Sequence, residues 1–129
     1  SEIFKGNQNV LEEVINILFY IAEADGNVSN EEESMIANIA FIFGLSQNQY
    51  ESIKESRKAS DKLNPYIVLE SQPTDDLKSI RKKYIKLSKE HHPDLLISKG
   101  VPSEVINESK NKMRAINAAW DQIQKLKSN

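Results

Sequence analysis

The chain has 129 residues and a net charge of −2, with 39% hydrophobic and 28% charged residues. This composition is typical of a soluble globular protein with one compact domain or two small ones. Because the chain has no cysteine, disulfides, thiolate zinc sites and cysteine nucleophiles are excluded. No apolar run approaches the roughly 20 residues of a bilayer span, and the first residues lack the apolar segment of a signal peptide.

The net charge hides a difference between the two halves of the chain. Residues 1–57 hold ten acidic and three basic side chains, which gives −7. Residues 58–129 hold nine acidic and fourteen basic side chains, which gives +5. A change of sign between halves indicates two modules with different partners. We therefore predict two domains, one over residues 1–60 and one over residues 61–129, joined by the polar residues 58–63.

The first half is predicted to be a small bundle of three helices. Capping boxes, in which a polar residue is followed three positions later by Glu or Gln, mark the helix starts. They pair Asn9 with Glu12, Ser29 with Glu32, and Ser46 with Gln49. We expect these helices to end near Ala24, at Gly44 and near Arg57, with a turn at 25–27.

The second half is also predicted to be helical, which makes the fold class all-α. Asn64 and Pro65 indicate a cap followed by a proline at the first helical position, opening a short helix to about Glu70. Thr74 is the predicted cap of the next helix, with Asp75 and Asp76 in its first turn and its end near His91. The last helix is expected from residue 102 or 103 to about residue 125.

The sequence His92-Pro93-Asp94 lies between these two long helices. Apolar side chains recur on one face of each helix at steps of three and four residues. The stripes are Leu77, Ile80, Tyr84, Leu87 and His91 in the first helix, and Met113, Ile116, Trp120 and Ile123 in the last. Two such helices joined by a loop should pack as an antiparallel hairpin. The loop would then hold an imidazole, a proline ring and a carboxylate at one exposed place.

The helix before this loop is strongly basic. Its six cations are Lys78, Arg81, Lys82, Lys83, Lys86 and Lys89, against one anion, Glu90. Four of the lysines share a face because they are spaced four, four and three residues apart. Such a face is either simply solvated or attracts an acidic partner. Nucleic acid is a weaker candidate, because no aromatic residues are interleaved for base stacking.

Metal binding and catalysis find little support in the sequence. His91, His92 and Asp94 are adjacent, but a structural metal needs about four ligands and no other ligand cluster is visible. We therefore predict no metal site, no catalytic residue and no cofactor, and we do not predict an enzyme. In the first half, Asp25 with Glu31 and Glu32 forms either a capped acidic turn, which we favour, or a cation site that is not an EF-hand loop.

Three motifs in the right order give the second half a resemblance to the J domain of DnaJ-type co-chaperones. They are the helix 80–87, the tripeptide 92–94 and the run 116–120, within a resemblance over residues 61–126. The doubled histidine 91–92 and the run 98–102 resemble the DjlA type of this family. The first half, over about residues 8–57, resembles part of a TerB-like helical domain, through the run 22–29, Glu32 and the run 43–46.

The resemblance implies a co-chaperone that recruits a DnaK-type chaperone ATPase and stimulates its ATP hydrolysis. The implied partner-binding residues are His92, Pro93, Asp94, Arg81, Lys82, Tyr84, Lys86 and Lys89. Asp94 would pair with an arginine of the partner. Proteins of the DjlA type typically carry a membrane segment, with the J domain facing the cytoplasm. A cytoplasmic location is therefore expected here, with the parent protein anchored to the inner membrane.

Some positions depart from the family pattern. Leu95, Ile85 and Glu90 stand where basic residues are common, and Glu70 stands where glycine usually ends the first helix of the J domain. These departures motivate an alternative function, in which a J-like module binds a partner without stimulating its ATPase. A third possibility is an acidic scaffold domain carrying an incidental helical hairpin. In each case the acidic first half is a candidate surface for a protein partner or for self-association.

Overall fold

A computed structural model describes residues 8–128, with side chains from residue 10 onward. Helices make up its regular structure, and no strand occurs among these residues. In chain order they are α1 (Gln8–Glu23), α2 (Asn30–Ile42), α3 (Gln47–Ser56), α4 (Pro65–Val68), α5 (Leu77–Glu90), α6 (Asp94–Ile97) and α7 (Ser103–Lys127). The predicted all-α class is confirmed. None of the helices in the described range has the length and hydropathy of a membrane-spanning segment.

Two of the three predicted capping boxes are confirmed. The Ser29 hydroxyl accepts from the Glu32 N–H at 3.1 Å, and the Glu32 carboxylate accepts from the Ser29 N–H at 3.0 Å. Ser46 and Gln49 make the same pair of bonds at the start of α3. The helix start predicted at Asn9 differs, because α1 already includes Gln8. The side chain of Asn9 lies outside the described side chains.

Two boundaries in the second half differ from the prediction, and one short helix is additional. The cap of α5 is Asp76 and not Thr74: its carboxylate accepts from the Ser79 N–H at 2.8 Å. Asp75 lies before the helix and accepts from the Gln72 N–H at 2.9 Å. Helix α4 ends at Val68, two residues earlier than expected. The short helix α6 was not predicted, because its four residues are too few to show a periodic pattern.

The first half forms its own apolar core. Helices α1, α2 and α3 pack together around one set of buried side chains. Its buried members are Leu11, Ile15, Phe19, Ile36, Ala40, Leu45, Tyr50 and Ile53. The ring of Tyr50 lies 5.4 Å from that of Phe41, edge to face, which is a favourable aromatic geometry. This half is therefore a small helical bundle, as predicted.

The second half is a helical hairpin with α4 packed against it. The Tyr84 hydroxyl donates to Oδ1 of Asn117 at 3.0 Å, and the Ser109 hydroxyl donates to the His91 carbonyl at 2.9 Å. Positions later along α5 therefore contact positions earlier along α7, so the two helices are antiparallel. The core contains Leu63, Val68, Leu69, Ile80, Leu87, Ala115, Ile116, Ala119 and Ile123, with Tyr66, Tyr84, Met113 and Trp120 partly buried against it.

A polar layer separates the two apolar cores and joins the halves. Arg57, at the end of α3, bonds both oxygens of Glu23 on α1 at 2.8 and 2.9 Å, and Glu108 on α7 at 2.6 Å. Lys112 of α7 is 2% exposed and donates to the hydroxyls of Ser52 and Ser56 on α3. Buried charges need such partners because their desolvation is costly. The two halves are thus held together by specific hydrogen bonds.

Glu70 has a backbone angle that is unfavourable for its residue type. Its φ is 52°, in the left-handed region, directly after the end of α4. A side chain with a Cβ is strained there by roughly 1–2 kcal/mol, and glycine is not. The resemblance to the J domain had already indicated that glycine is usual at this position.

We expect Glu70→Gly to stabilise the protein by about 1 kcal/mol, because the relief of strain exceeds the entropic cost of glycine. Denaturant unfolding measures the change. Glu70→Ala is the matched control, since it removes the carboxylate but retains the Cβ. Equal stabilisation by both variants would show that the charge, and not the backbone angle, is responsible.

Candidate partner-binding site

The loop between α5 and α7 begins where α5 ends. The N–H of His91 still bonds the Leu87 carbonyl at 3.0 Å, as in the helix. Pro93 then has φ −57° and ψ −29°, and Asp94 is the first residue of α6. The chain therefore turns within the tripeptide and starts a new helical turn at once. This short helix fixes the backbone from which the Asp94 side chain projects.

The side chain of Asp94 faces the solvent. It is 80% exposed, and the side chain of the neighbouring His92 is 56% exposed. The N–H of Asp94 donates to Nδ1 of His92 at 3.2 Å, and its carboxylate lies 3.6 Å from the same nitrogen. Pro93 is half-buried between them. The tripeptide thus presents a free carboxylate whose orientation is restricted by local contacts and a proline ring.

The residue before the tripeptide is fixed deep in the protein. His91 is 1% exposed, and its carbonyl accepts from the Ser109 hydroxyl of α7. Its Nδ1 lies 3.4 Å from Glu13, and its Nε2 lies 3.4 Å from Glu12, both on α1. The expected role of His91 as a partly buried end of the apolar stripe is wrong: it lies in a polar cluster. The first half of the chain therefore holds the base of the loop.

The charges around His91 shift two pKa values. Burial alone would lower the pKa of His91, but the carboxylates of Glu12 and Glu13 outweigh burial and raise it above its ordinary value. Burial lowers the pKa of Lys112, although Glu12 favours its charged form. These side chains come from α1, α7 and the residue that follows α5. Sequence reasoning missed the cluster, although Glu12 and Glu13 stand among apolar residues of α1, which was a usable signal.

The basic face of α5 is exposed as predicted. The face predicted from the sequence consists of Lys78, Lys82, Lys86 and Lys89, which are exposed. Arg81 and Lys83 are exposed as well, and we define these six cations together as the basic face. Within residues 8–128, Lys86 alone among them makes an ion pair, with Glu90 at 4.0 Å. Such a long, exposed pair contributes little. The basic face therefore lies beside the loop with its charge largely uncompensated by other residues of this half.

Tyr84 differs from the other predicted partner-binding residues because it is half-buried. Its ring stacks on Trp120, with ring centres 5.1 Å apart and planes at 10°. Its hydroxyl bonds Asn117 of α7. The structure therefore gives Tyr84 a clear role in joining α5 to α7.

The acidic turn of the first half leads into the cap of α2. Glu32 is used in the cap of Ser29, and the hydrogen bonds from Ser29 lower its pKa. In the described part of the chain, one group of residues has the spacing of metal ligands, and it is Glu12, Glu90 and His91. Asp25 and Glu31 are not part of it. The favoured interpretation of this segment as a capped turn agrees with the bonds observed.

Two family models match this chain. The DnaJ domain model matches residues 64–128, half of the chain, and the model of tellurite resistance protein TerB matches residues 2–55. The chain therefore belongs to the DnaJ domain family. The predicted boundary at residue 60 falls between the two matches and stays a prediction.

Curated relatives narrow the assignment to one type within the family. Co-chaperone protein DjlA of Vibrio parahaemolyticus is 35% identical over an alignment of 123 positions, which covers 87% of this chain and 43% of the relative. The DjlA proteins of Photorhabdus laumondii and Escherichia coli K12 are 27% and 26% identical, over 95% of this chain and 54% of each relative. The chain is thus a J-domain protein of the DjlA type with a TerB-like first half.

The chain spans about half the length of these relatives. No solved structure was found to match it.

Proposed function

We propose that this chain is a co-chaperone that recruits a DnaK-type chaperone and stimulates its ATP hydrolysis. The observation that carries the proposal is the exposed carboxylate of Asp94, held at the end of the helical hairpin beside the basic face of α5. A carboxylate in this position can form a charge-assisted hydrogen bond with an arginine. The relatives of this chain are named co-chaperones, which supports the same activity.

The basic face supplies the second part of the proposed mechanism. Exposed cations attract an acidic surface and speed its association. We propose that Arg81, Lys82, Lys86 and Lys89 contact the partner first and orient it. The tripeptide then engages the partner ATPase. In this division of roles, the basic face determines affinity, and His92, Pro93 and Asp94 determine the stimulation.

The first half is proposed to position the loop through its contacts with His91. Its acidic surface is also available to a further protein partner or to a second copy of the chain. By the same resemblance we propose that the protein works in the cytoplasm, as part of a parent anchored to the inner membrane.

The test is the steady-state ATPase rate of a DnaK-type chaperone titrated with this chain. We expect stimulation that saturates, and we expect Lys82→Glu to raise the half-saturating concentration about 5- to 10-fold, because reversing a charge in a complementary surface weakens binding. The maximal rate should change little. The matched control is Lys62→Glu, an exposed lysine outside α5.

Two outcomes would contradict the proposal. Binding without stimulation would favour the alternative function, a J-like module that only docks. Equal effects of Lys82→Glu and Lys62→Glu would show that net charge, and not the basic face, determines affinity. Raising the salt concentration should weaken the wild-type interaction, since exposed charges are screened.

A further inference from the structure

Three potential metal ligands meet where the first half touches the base of the loop. Glu12 comes from α1, Glu90 ends α5, and His91 follows it. One ligand atom from each lies within 4.8 Å of the other two. Glu12 and His91 are each 1% exposed, whereas the side chain of Glu90 is 36% exposed. The group therefore has a buried interior and one side open to solvent.

The buried atoms of this group lack hydrogen-bond partners. Neither oxygen of Glu12 accepts a hydrogen bond within the described residues, and Nε2 of His91 makes none either. Nε2 and Oε1 of Glu12 are 3.4 Å apart, close enough for electrostatic attraction, yet they do not form a hydrogen bond. Buried polar atoms without partners are rare in native proteins and need an explanation.

The other ring nitrogen of His91 is held as it would be in a metal site. Nδ1 lies 3.4 Å from a carboxylate oxygen of Glu13. Histidines that bind metals usually donate their second ring N–H to a carboxylate, which fixes the tautomer. With a proton on Nδ1, the lone pair of Nε2 is directed to the side where Glu12 lies. Glu13 would thus be a supporting residue and not a ligand.

The balance of charge also favours a cation at this place. Glu12, Glu13, Glu70 and Glu90 contribute four negative charges here, against the buried Lys112 and the exposed Lys83 and Lys86. With a neutral imidazole, a negative excess remains. A divalent ion would neutralise it, and low-dielectric surroundings would strengthen that interaction.

We propose that Glu12, Glu90 and His91 form a binding site for a divalent transition-metal ion of the zinc class, with water as the remaining ligand. One imidazole and two carboxylates suit zinc and similar ions better than calcium, which prefers oxygen ligands alone. Glu90 gives the ion a path from solvent. This site differs from the set His91, His92 and Asp94 considered from the sequence, because His92 and Asp94 face outward.

Calorimetric titration of the full chain with zinc chloride tests the site, after dialysis against a chelator. We expect one saturable equivalent and a higher Tm with zinc than without it. Glu90→Gln should lower the affinity by at least about 10- to 100-fold, the range for the loss of a residue that only supports a metal ligand. The Glu90 side chain is 36% exposed, so its substitution should leave the fold intact. His92→Gln is the matched control, because it removes the other histidine and should leave binding unchanged.

Absence of saturable zinc binding by the wild-type chain would overturn the proposal and would indicate that a proton on His91 balances the carboxylates. Unchanged binding in Glu90→Gln, or loss of binding in His92→Gln, would also overturn it. His91→Gln should abolish binding. If that variant does not fold by circular dichroism, Glu90→Gln decides the matter.

Discussion

Asp94→Asn should reduce the stimulation of a DnaK-type ATPase to near the rate of the chaperone alone. The change keeps the shape of the side chain and removes the charge, so a charge-assisted bond to a partner arginine becomes a weaker neutral one. Removing one member of a desolvated charge pair costs about 2–5 kcal/mol, which corresponds to a loss of at least about 30-fold. Single-turnover ATP hydrolysis measures the effect directly.

The position of Asp94 makes this variant easy to interpret. Because the carboxylate is 80% exposed, its change should alter the free energy of unfolding by no more than about 0.5 kcal/mol. Asp121→Asn on α7 is the matched control, since Asp121 is also exposed. Stimulation that survives Asp94→Asn would remove the main support for the proposed function, whatever the effect on affinity.

The second large effect is expected at Lys112. Its ammonium group is buried and donates to Ser52 at 2.6 Å and to Ser56 at 3.0 Å. It also interacts electrostatically with the carboxylates of Glu12 and Glu13. Lys112→Met keeps much of the volume but removes the buried ammonium group, so His91 alone is left to compensate these carboxylates. Breaking a buried ionic network by removing one partner costs about 3–5 kcal/mol. We expect a loss of unfolding free energy of that size in urea.

The control for this variant lies two residues earlier on the same helix. Lys110 is exposed, so Lys110→Met should change stability by no more than about 0.5 kcal/mol. A stable Lys112→Met protein would mean that the carboxylates around His91 take up protons when the lysine is lost. The stability of that variant would then fall as the pH rises, whereas the wild type would change less.

The local features of this fold follow from the sequence alone. The boxes at Ser29 and Ser46 and the glycine at the end of α2 are determined by neighbours within three or four positions, where backbone preference and side-chain bonds act together. The apolar stripes of α5 and α7 predicted the hairpin for the same reason, because a helical repeat of 3.6 residues places them on one face. The motif around His92 indicated the J-domain family, and the observed exposure of Asp94 agrees with the exposed loop expected from the sequence.

Tertiary structure decided the features that join residues distant in sequence. One local feature also differed: the sequence placed the cap of α5 at Thr74, but Asp76, two positions later, accepts from the Ser79 N–H, and no local rule ranks two such neighbouring candidates. His91 was assigned to the apolar stripe because spacing shows which face a residue occupies and not what covers it. Glu12 and Glu13 lie 78 or more positions away, and only the packing of α1 against the hairpin brings them to the imidazole. The loop motif could therefore be predicted from the sequence, whereas the buried residues that support it are brought together by long-range contacts between the two halves.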